Sequence, residues 1–342
     1  MTAFDVIIIG AGPGGLNCAK ILSQKDLKIL ILEKNKSTGP KVCAGGLLNH
    51  TIDYLKLPEE IIEKRFDEVT FTTARRKKVL KLENRNTLCT IDRKALAQWQ
   101  MEKLRKKNIT LMNGARVTEI KTNHIILNNS QKINFRYLVG ADGSNSITRK
   151  FLGLAKEKKI IGIQYIIPTD KYQNVEIHFS SALFHSWYAW IFPHNGFVSI
   201  GTGGSSNHIP IKLLKKNFHQ WLTENNIDFS TGEFQAFPIN SDFKGFQFNN
   251  LFLIGDAAGL ASELSGEGIY QALISGEEAA KKIIDKSYEP VKLKQLLSKH
   301  RFHSLTSFSL IKSGKMRNAM FELFMLSLKN RVLGNAGMRY FA

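Results

Sequence analysis

Three patterns of apolar residues run along this chain. Residues 4–9, 27–33 and 251–255 are short continuous apolar runs, with Val6-Ile7-Ile8-Ile9 in the first. Such runs predict strands buried on both faces of a parallel sheet. Residues 14–24 and 267–285 carry apolar side chains at helical spacing instead. The first has Leu16, Ala19 and Leu22; the second has Ile269, Ala272, Leu273, Gly276, Ala280 and Ile283 on one face. Residues 92–106 predict another helix, with Asp92 as its N-cap. Short strands are expected near 109–112, 115–121 and 124–128, and residues 136–143 end a strand at a glycine turn.

The third pattern is alternation. It occurs within 66–91 and again through 160–250, where aromatic and polar residues alternate in IIGIQYIIP, NVEIHFS and WYAWIFP. His194-Asn195-Gly196 is a hairpin turn, because Asn-Gly tolerates positive φ. The expected architecture is therefore α/β. A discontinuous Rossmann-type domain covers 1–65, 92–155 and 250–290. An antiparallel β-rich substrate domain, 66–91 and 156–249, is inserted into it, and 291–342 form a basic helical C-terminal segment.

The loop after the first strand, Gly10-Ala11-Gly12-Pro13-Gly14-Gly15, fills the GxGxxG pattern between strand and helix. The first glycine permits the tight turn, the second a close approach of backbone to a pyrophosphate, and the third close helix–strand contact. The helix N-terminus offers free N–H groups to phosphates. Glu33 ends the second strand, placed to accept hydrogen bonds from a ribose, with Lys34 beside it. Strand, loop, helix, strand and carboxylate together predict a dinucleotide site.

Composition narrows the partners. The chain has 342 residues, 43% hydrophobic, enough for about two domains. Its net charge of +19 favours an anionic partner, although a lysine-, Asn- and Ile-rich composition also fits a base-composition bias. Three cysteines, Cys18, Cys43 and Cys89, form no CxxC pair, which excludes zinc-ribbon and thioredoxin-type sites and four-cysteine clusters. No metal site is expected. Neither a signal peptide nor a membrane span of about 20 apolar residues is legible. The expected location is the cytoplasm, with the inner face of the membrane as a peripheral alternative. His124, His178, His185, His194 and His208 are scattered and read as surface or core residues.

Three further motifs resemble those of FAD-dependent hydroxylases and reductases with the p-hydroxybenzoate hydroxylase-like fold. Arg93 leads the segment DRKALAQW; Gly140-Ala141-Asp142-Gly143 with Arg149 is similar to the DG motif; Gly255-Asp256-Ala257-Ala258-Gly259 is similar to the GD motif. The resemblance implies FAD, held by Gly10 to Gly15, Glu33, Lys34, Arg93, Val117, Asp142, Gly255 and Asp256. It also implies that Gly266, Gly268 and Ile269 open a helix aimed at the flavin, whose positive end favours reduced flavin. Two segments resemble the geranylgeranyl reductase family: Gly39-Pro40-Lys41-Val42-Cys43-Ala44-Gly45-Gly46 and Tyr188-Ala189-Trp190-Ile191-Phe192-Pro193. In that family the first passes beside the flavin, here Cys43, Ala44 and Gly45. The second lines a substrate cavity, here Tyr188, Trp190, Phe192 and Pro193.

The resemblance implies reduction of isoprenoid carbon–carbon double bonds, with electrons from NAD(P)H or a reduced protein carrier. Cys43 and Tyr188 are candidate catalytic residues by family location. Two alternatives stay open: a flavin monooxygenase acting on an aromatic or quinone ring, and a membrane-surface flavoprotein that only relays electrons. Residues 298–342 hold Lys299, Arg301, Lys312, Lys315, Arg317, Lys329, Arg331 and Arg339 against one acid, Glu322. That segment reads either as a basic amphipathic surface for an anionic membrane or as capping helices with a solvated basic face. A nucleic-acid partner is not expected.

Overall fold

The computed structural model describes residues 3–82, 88–104, 106–155, 160–205 and 207–328. The continuous apolar runs form the centre of a parallel sheet. Ala3–Ile9 lies between Ile29–Glu33 and Lys132–Gly140, parallel to both. Ile109–Asn113 extends the sheet on one side and Leu251–Leu253 on the other, again parallel. Val6, Ile7 and Ile8 are fully buried, as residues with apolar neighbours on both faces must be.

The predicted helices are present with shifted ends: Pro13–Leu22, Arg93–Glu102 and Ile269–Ile284. Asp92 caps the second, its carboxylate accepting from the Ala95 N–H at 2.7 Å. Ile269–Ile284 departs from the one-faced expectation and is buried nearly all round, Glu277 and Glu278 included. It packs against Pro13–Leu22 on one side and Val291–Lys312 on another. The first contact is backbone on backbone: a Cβ on Gly276 would sit 2.4 Å from the Gly14 carbonyl oxygen.

The alternating segments form a seven-stranded sheet in the order Glu233–Ile239, Ile160–Pro168, Phe197–Ser205, Tyr188–Pro193, Val175–Phe179, Glu68–Thr72, Lys77–Lys81. All its pairings are antiparallel except Glu68–Thr72 with Val175–Phe179. Leu88–Ile91 does not join this sheet. It pairs with Gly46–Leu48 and Ile62–Phe66 in a separate three-stranded one. The strand pattern of 160–250 is also interrupted by a helix, Ile211–Glu224. Its buried residues Leu214, Phe218, Trp221 and Leu222 carry a helical stripe that a reading for alternation passes over.

Two helices follow, Val291–Lys312 and Arg317–Ser327. Leu310, Phe321 and Met325 pack into the cluster that contains Phe71, Tyr188 and Trp190, so these helices cap the seven-stranded sheet. Lys329, Arg331 and Arg339 lie outside the described residues. Among the described residues no helix is long and apolar enough to cross a membrane.

Candidate functional site

A cavity of about 580 Å³ runs from the glycine loop to the seven-stranded sheet. At the loop end its lining is backbone together with polar and charged side chains, Glu33, Arg93 and Asp142 among them. Gly12 is the N-cap of Pro13–Leu22 and offers no side-chain cap to the first-turn N–H groups, and Gly12, Gly14 and Gly15 line the cavity. A Cβ on Gly12 would meet nothing within 4 Å, whereas one on Gly10 (φ +107°) would lie 2.3 Å from the Ala141 carbonyl oxygen. Gly10 is needed by the fold; Gly12 leaves room for something else.

Glu33 holds this loop in place. Its two oxygens accept from the Ala11 N–H at 3.1 Å and the Asn35 N–H at 2.9 Å. A carboxylate has about four acceptor sites, so capacity remains for hydroxyls. Arg93 and Asp142 carry polar atoms that await a partner: Arg93 Nε and Asp142 Oδ1 are buried without a hydrogen bond. Asp142 Oδ2 accepts from the Thr148 N–H at 3.0 Å and its hydroxyl at 3.1 Å. Burial lifts the Asp142 carboxyl above the ordinary range, against the pull of these hydrogen bonds. Such orphaned atoms around a glycine cradle are what a bound, hydroxyl- and phosphate-bearing cofactor would satisfy.

Asp256 begins the short helix Gly255–Ala258 and is already engaged. Its Oδ2 accepts from Lys41 Nζ at 3.0 Å and from the Ser144 hydroxyl at 2.9 Å. Lys41 also sits over the Phe237 ring, so this pair joins the Gly39–Gly46 segment to both sheets. Arg149, part of the segment similar to the DG motif, does not line the cavity. It is buried behind the cavity and donates to the carbonyls of Ala258, Ala155 and Asp242 and to the Asp242 carboxylate.

The other end of the cavity is walled by side chains. Val69, Phe71, Ile177, Trp187, Tyr188, Trp190 and Phe192 make an apolar face. Tyr188 donates its hydroxyl to the Ser265 carbonyl at 2.7 Å, and burial pushes its phenol pKa well above the ordinary value. A polar thread runs behind the face. Trp190 Nε1 donates to the Ser199 hydroxyl at 3.3 Å, Ser199 to Gln164 Oε1 at 3.1 Å, and Gln164 Nε2 to the Cys43 carbonyl at 3.3 Å. The aromatic wall and the cysteine segment are thereby fixed to each other.

All the expected cofactor residues line the cavity except Gly45, and all the expected substrate residues except Pro193. Gly45 faces the His194 ring instead, and Pro193 accepts from the Thr90 hydroxyl at 2.8 Å. Cys43 is half-buried in the lining. Cys18 and Cys89 lie in the core, where burial raises both thiols, Cys89 to about 12. Sequence reasoning missed three pairs around the cavity: Lys41–Asp256, His50–Glu267 and His194–Glu63. His194 is a buried structural residue, bonded to Glu63 at 2.6 Å and to the Ala44 carbonyl at 2.9 Å.

Comparison with known proteins bears on this cavity. Residues 3–286 match the FAD binding domain family. The chain is 24% identical over 308 residues to a geranylgeranyl diphosphate reductase of Rhodobacter capsulatus, covering 85% of this chain and 78% of the relative. It is 26% identical over 322 residues to a digeranylgeranylglycerophospholipid reductase of Methanocaldococcus jannaschii, covering 84% and 80%. The structure superposes on a geranylgeranyl bacteriochlorophyll reductase-like protein of Thermoplasma acidophilum with a TM-score of 0.80 at 19% identity, covering 96% and 92%. It superposes on p-nitrophenol 4-monooxygenase of Pseudomonas putida with a TM-score of 0.74 at 14% identity, covering 100% and 99%. At such identities the superpositions establish the fold alone. The family match and the reductase relatives go further: the chain belongs to the FAD binding domain family and is an FAD-dependent oxidoreductase.

Proposed function

We propose that this oxidoreductase reduces carbon–carbon double bonds of an isoprenoid: a prenyl lipid, a prenyl diphosphate or a quinone side chain. The observation that carries the reading is the aromatic wall of Tyr188, Trp190 and Phe192 continuous in one cavity with the glycine-loop end. Its apolar surface matches a prenyl chain, and it offers few polar groups to orient a small polar ring. The named substrates of the reductase relatives support the same choice.

In this reading Gly10 to Gly15, Glu33, Lys34, Arg93, Val117, Asp142, Gly255 and Asp256 hold FAD, which supplies hydride chemistry when bound. The N-terminus of Ile269–Ile284, with Gly266 and Gly268 before it, favours negative charge at its end of the cavity. Cys43 and Ala44 bring backbone close to the reacting region, and the aromatic wall excludes water from it. Electrons come from an external donor, NAD(P)H or a reduced protein carrier. The proposed division of the chain is the discontinuous FAD-binding part and the inserted β-rich part anticipated above.

The surface of the last two helices fits an anionic membrane from which a lipid substrate would be drawn. Phe302, Leu305, Phe308 and Leu323 are exposed there, with Arg301, Lys312 and Lys315 among them. Co-sedimentation with anionic but not neutral vesicles tests this part.

The experiment for the reading itself is anaerobic incubation of dithionite-reduced protein with geranylgeranyl diphosphate, followed by mass spectrometry. Products heavier by two hydrogens per bond are expected. Oxygen-dependent hydroxylation of an aromatic or quinone ring, with no gain of hydrogen on the prenyl chain, would sink it.

A further inference from the structure

The Ser265–Gly268 turn is where the two ends of the cavity meet. On one side it runs into Ile269–Ile284, whose N-cap Gly268 carries no side-chain cap. On the other it touches the aromatic wall. Tyr188 donates to the Ser265 carbonyl, and a Cβ on Gly266 would lie 3.4 Å from the Trp187 ring. Glu267 lines the cavity at this junction.

The Glu267 carboxylate has a particular partner. Its Oε1 lies 2.8 Å from Nε2 of His50, and its Oε2 accepts from Gln271 at 3.1 Å. The Glu267 side chain is 14% exposed and that of His50 31%. His50 is not part of the cavity lining, so its exposed face opens elsewhere. One end of the pair faces the cavity and the other faces solvent. The remaining carboxylates of the cavity are bonded differently: Glu33 to backbone N–H groups, Asp142 to Thr148, and Asp256 to Lys41 and Ser144.

We infer that Glu267 and His50 form a proton path into the cavity, with Glu267 as the catalytic acid and His50 as the residue that reloads it. The inference rests on the alkene-reduction reading. In that reaction one alkene carbon would gain a hydride, which bound reduced FAD would supply by giving up one of its hydrogens with both bonding electrons, and the other carbon would gain a proton. The π bond would break and two C–H bonds would form. Glu267, as the carboxylic acid, releases its proton to carbon. The carboxylate left behind takes one from the His50 imidazolium, and water restores His50. Isolated alkenes accept hydride poorly, so a well-placed acid decides the rate.

Other groups face the pair. The Tyr270 ring meets His50 edge-on at 4.4 Å between centroids. Lys299 is near enough for the Glu267 charge to oppose the lowering of its ammonium by burial. Tyr188 feels Glu267 too, on top of its own burial. Its hydroxyl is committed to Ser265, which leaves Glu267 as the better-placed acid on this side of the cavity.

Two measurements test the path on the full-length, FAD-loaded protein. In the first, the Nε2 resonance of His50 is recorded by NMR at one fixed pH in histidine-labelled protein. It should move in Glu267→Gln, because the 2.8 Å contact then runs to an amide and not a carboxylate. In the second, dithionite-reduced protein is mixed anaerobically with geranylgeranyl diphosphate and reoxidation is followed by absorbance. Glu267→Gln should slow it by about 100-fold, with FAD content and dithionite reduction unchanged. Glu267→Asp should restore part of the rate, and His50→Gln should shift the pH profile while keeping the product.

A His50 Nε2 resonance indifferent to Glu267→Gln overturns the path. So does reoxidation of that variant within about threefold of wild type, which leaves the alkene reading standing. Wild-type protein that never reduces the alkene, with His50 and Glu267 still coupled, overturns the function reading instead, and the donor role falls with it.

Discussion

At the glycine-loop end the cavity is lined by backbone; at the aromatic end it is lined by side chains. The loop end depends on where chain passes chain. Gly10 lies against Ala141, Gly15 against Gly10, and Gly14 against Ala272, each too close for a Cβ. The aromatic end depends on volume, with Trp190 filling the space above Gly201 and Phe192 the space above Gly46. A backbone-lined site recognises parts that ligands share, such as phosphates and hydroxyls. A site lined by side chains can be reshaped one substitution at a time. The difference explains why the chain shares its fold with reductases and a monooxygenase alike.

The largest expected effect probes what hides behind the loop end. Arg149 is 2% exposed and ties Ala258, Ala155 and Asp242 together. Arg149→Met removes the donor to three carbonyls and leaves the Asp242 carboxylate without its buried guanidinium, with Lys244 at 3.4 Å still beside it, and should cost about 4 kcal/mol of stability in urea unfolding. A loss below about 1 kcal/mol would show that the loop end stands without this buried charge.

Trp190→Ala tests the aromatic end. Truncating a buried tryptophan costs about 3 kcal/mol, at the low end of the range because one side already faces a cavity. FAD should stay bound at full stoichiometry while geranylgeranyl diphosphate binds more weakly. Loss of the yellow colour would erase the distinction between the two ends.

A pair of glycine variants sharpens the distinction at the loop. Gly12→Val has space for its side chain, so the protein should fold with little change in melting temperature. FAD affinity should drop by about tenfold or more, about 1.4 kcal/mol, because the methyls occupy the cradle. Gly10→Val combines positive φ with a clash against Ala141 and should lower the melting temperature itself. Equal thermal shifts in both variants would mean that Gly12 serves packing and not a ligand.

Legibility in the sequence follows the same divide. Val6 to Ile9, the glycine loop, Glu33 and the helix capped by Asp92 are local patterns, and each is found where its pattern places it. The alternation of Tyr188, Trp190 and Phe192 is local too. Lys41 with Asp256, His50 with Glu267 and His194 with Glu63 are pairs from distant parts of the chain, and no periodicity announces them. Arg149 was legible as part of a motif yet serves the core, because a motif records position and not the direction of a side chain. Leu88–Ile91 follows the alternating segments in the chain, and only its pairing with Gly46–Leu48 and Ile62–Phe66 assigns it to a different sheet.

A smaller effect concerns the helices that carry the loop end. Glu277, on Ile269–Ile284, accepts from the Tyr54 hydroxyl at 2.7 Å and from Lys281 and Lys292. Burial pushes its carboxyl up, and these three donors outweigh burial, so its folded pKa lies below the ordinary value. A depressed folded pKa gives stability that is complete above the unfolded pKa of about 4.3 and is lost as pH falls through the folded value. Lys281 and Lys292 are more than a third exposed, so solvent screens much of the attraction. The wild type should therefore lose slightly more stability than Glu277→Gln when urea unfolding is compared at about pH 7 and about pH 3. Identical losses would place the acid sensitivity of this packing elsewhere and leave Tyr54, which also accepts from Asn17, as the group that joins the helices.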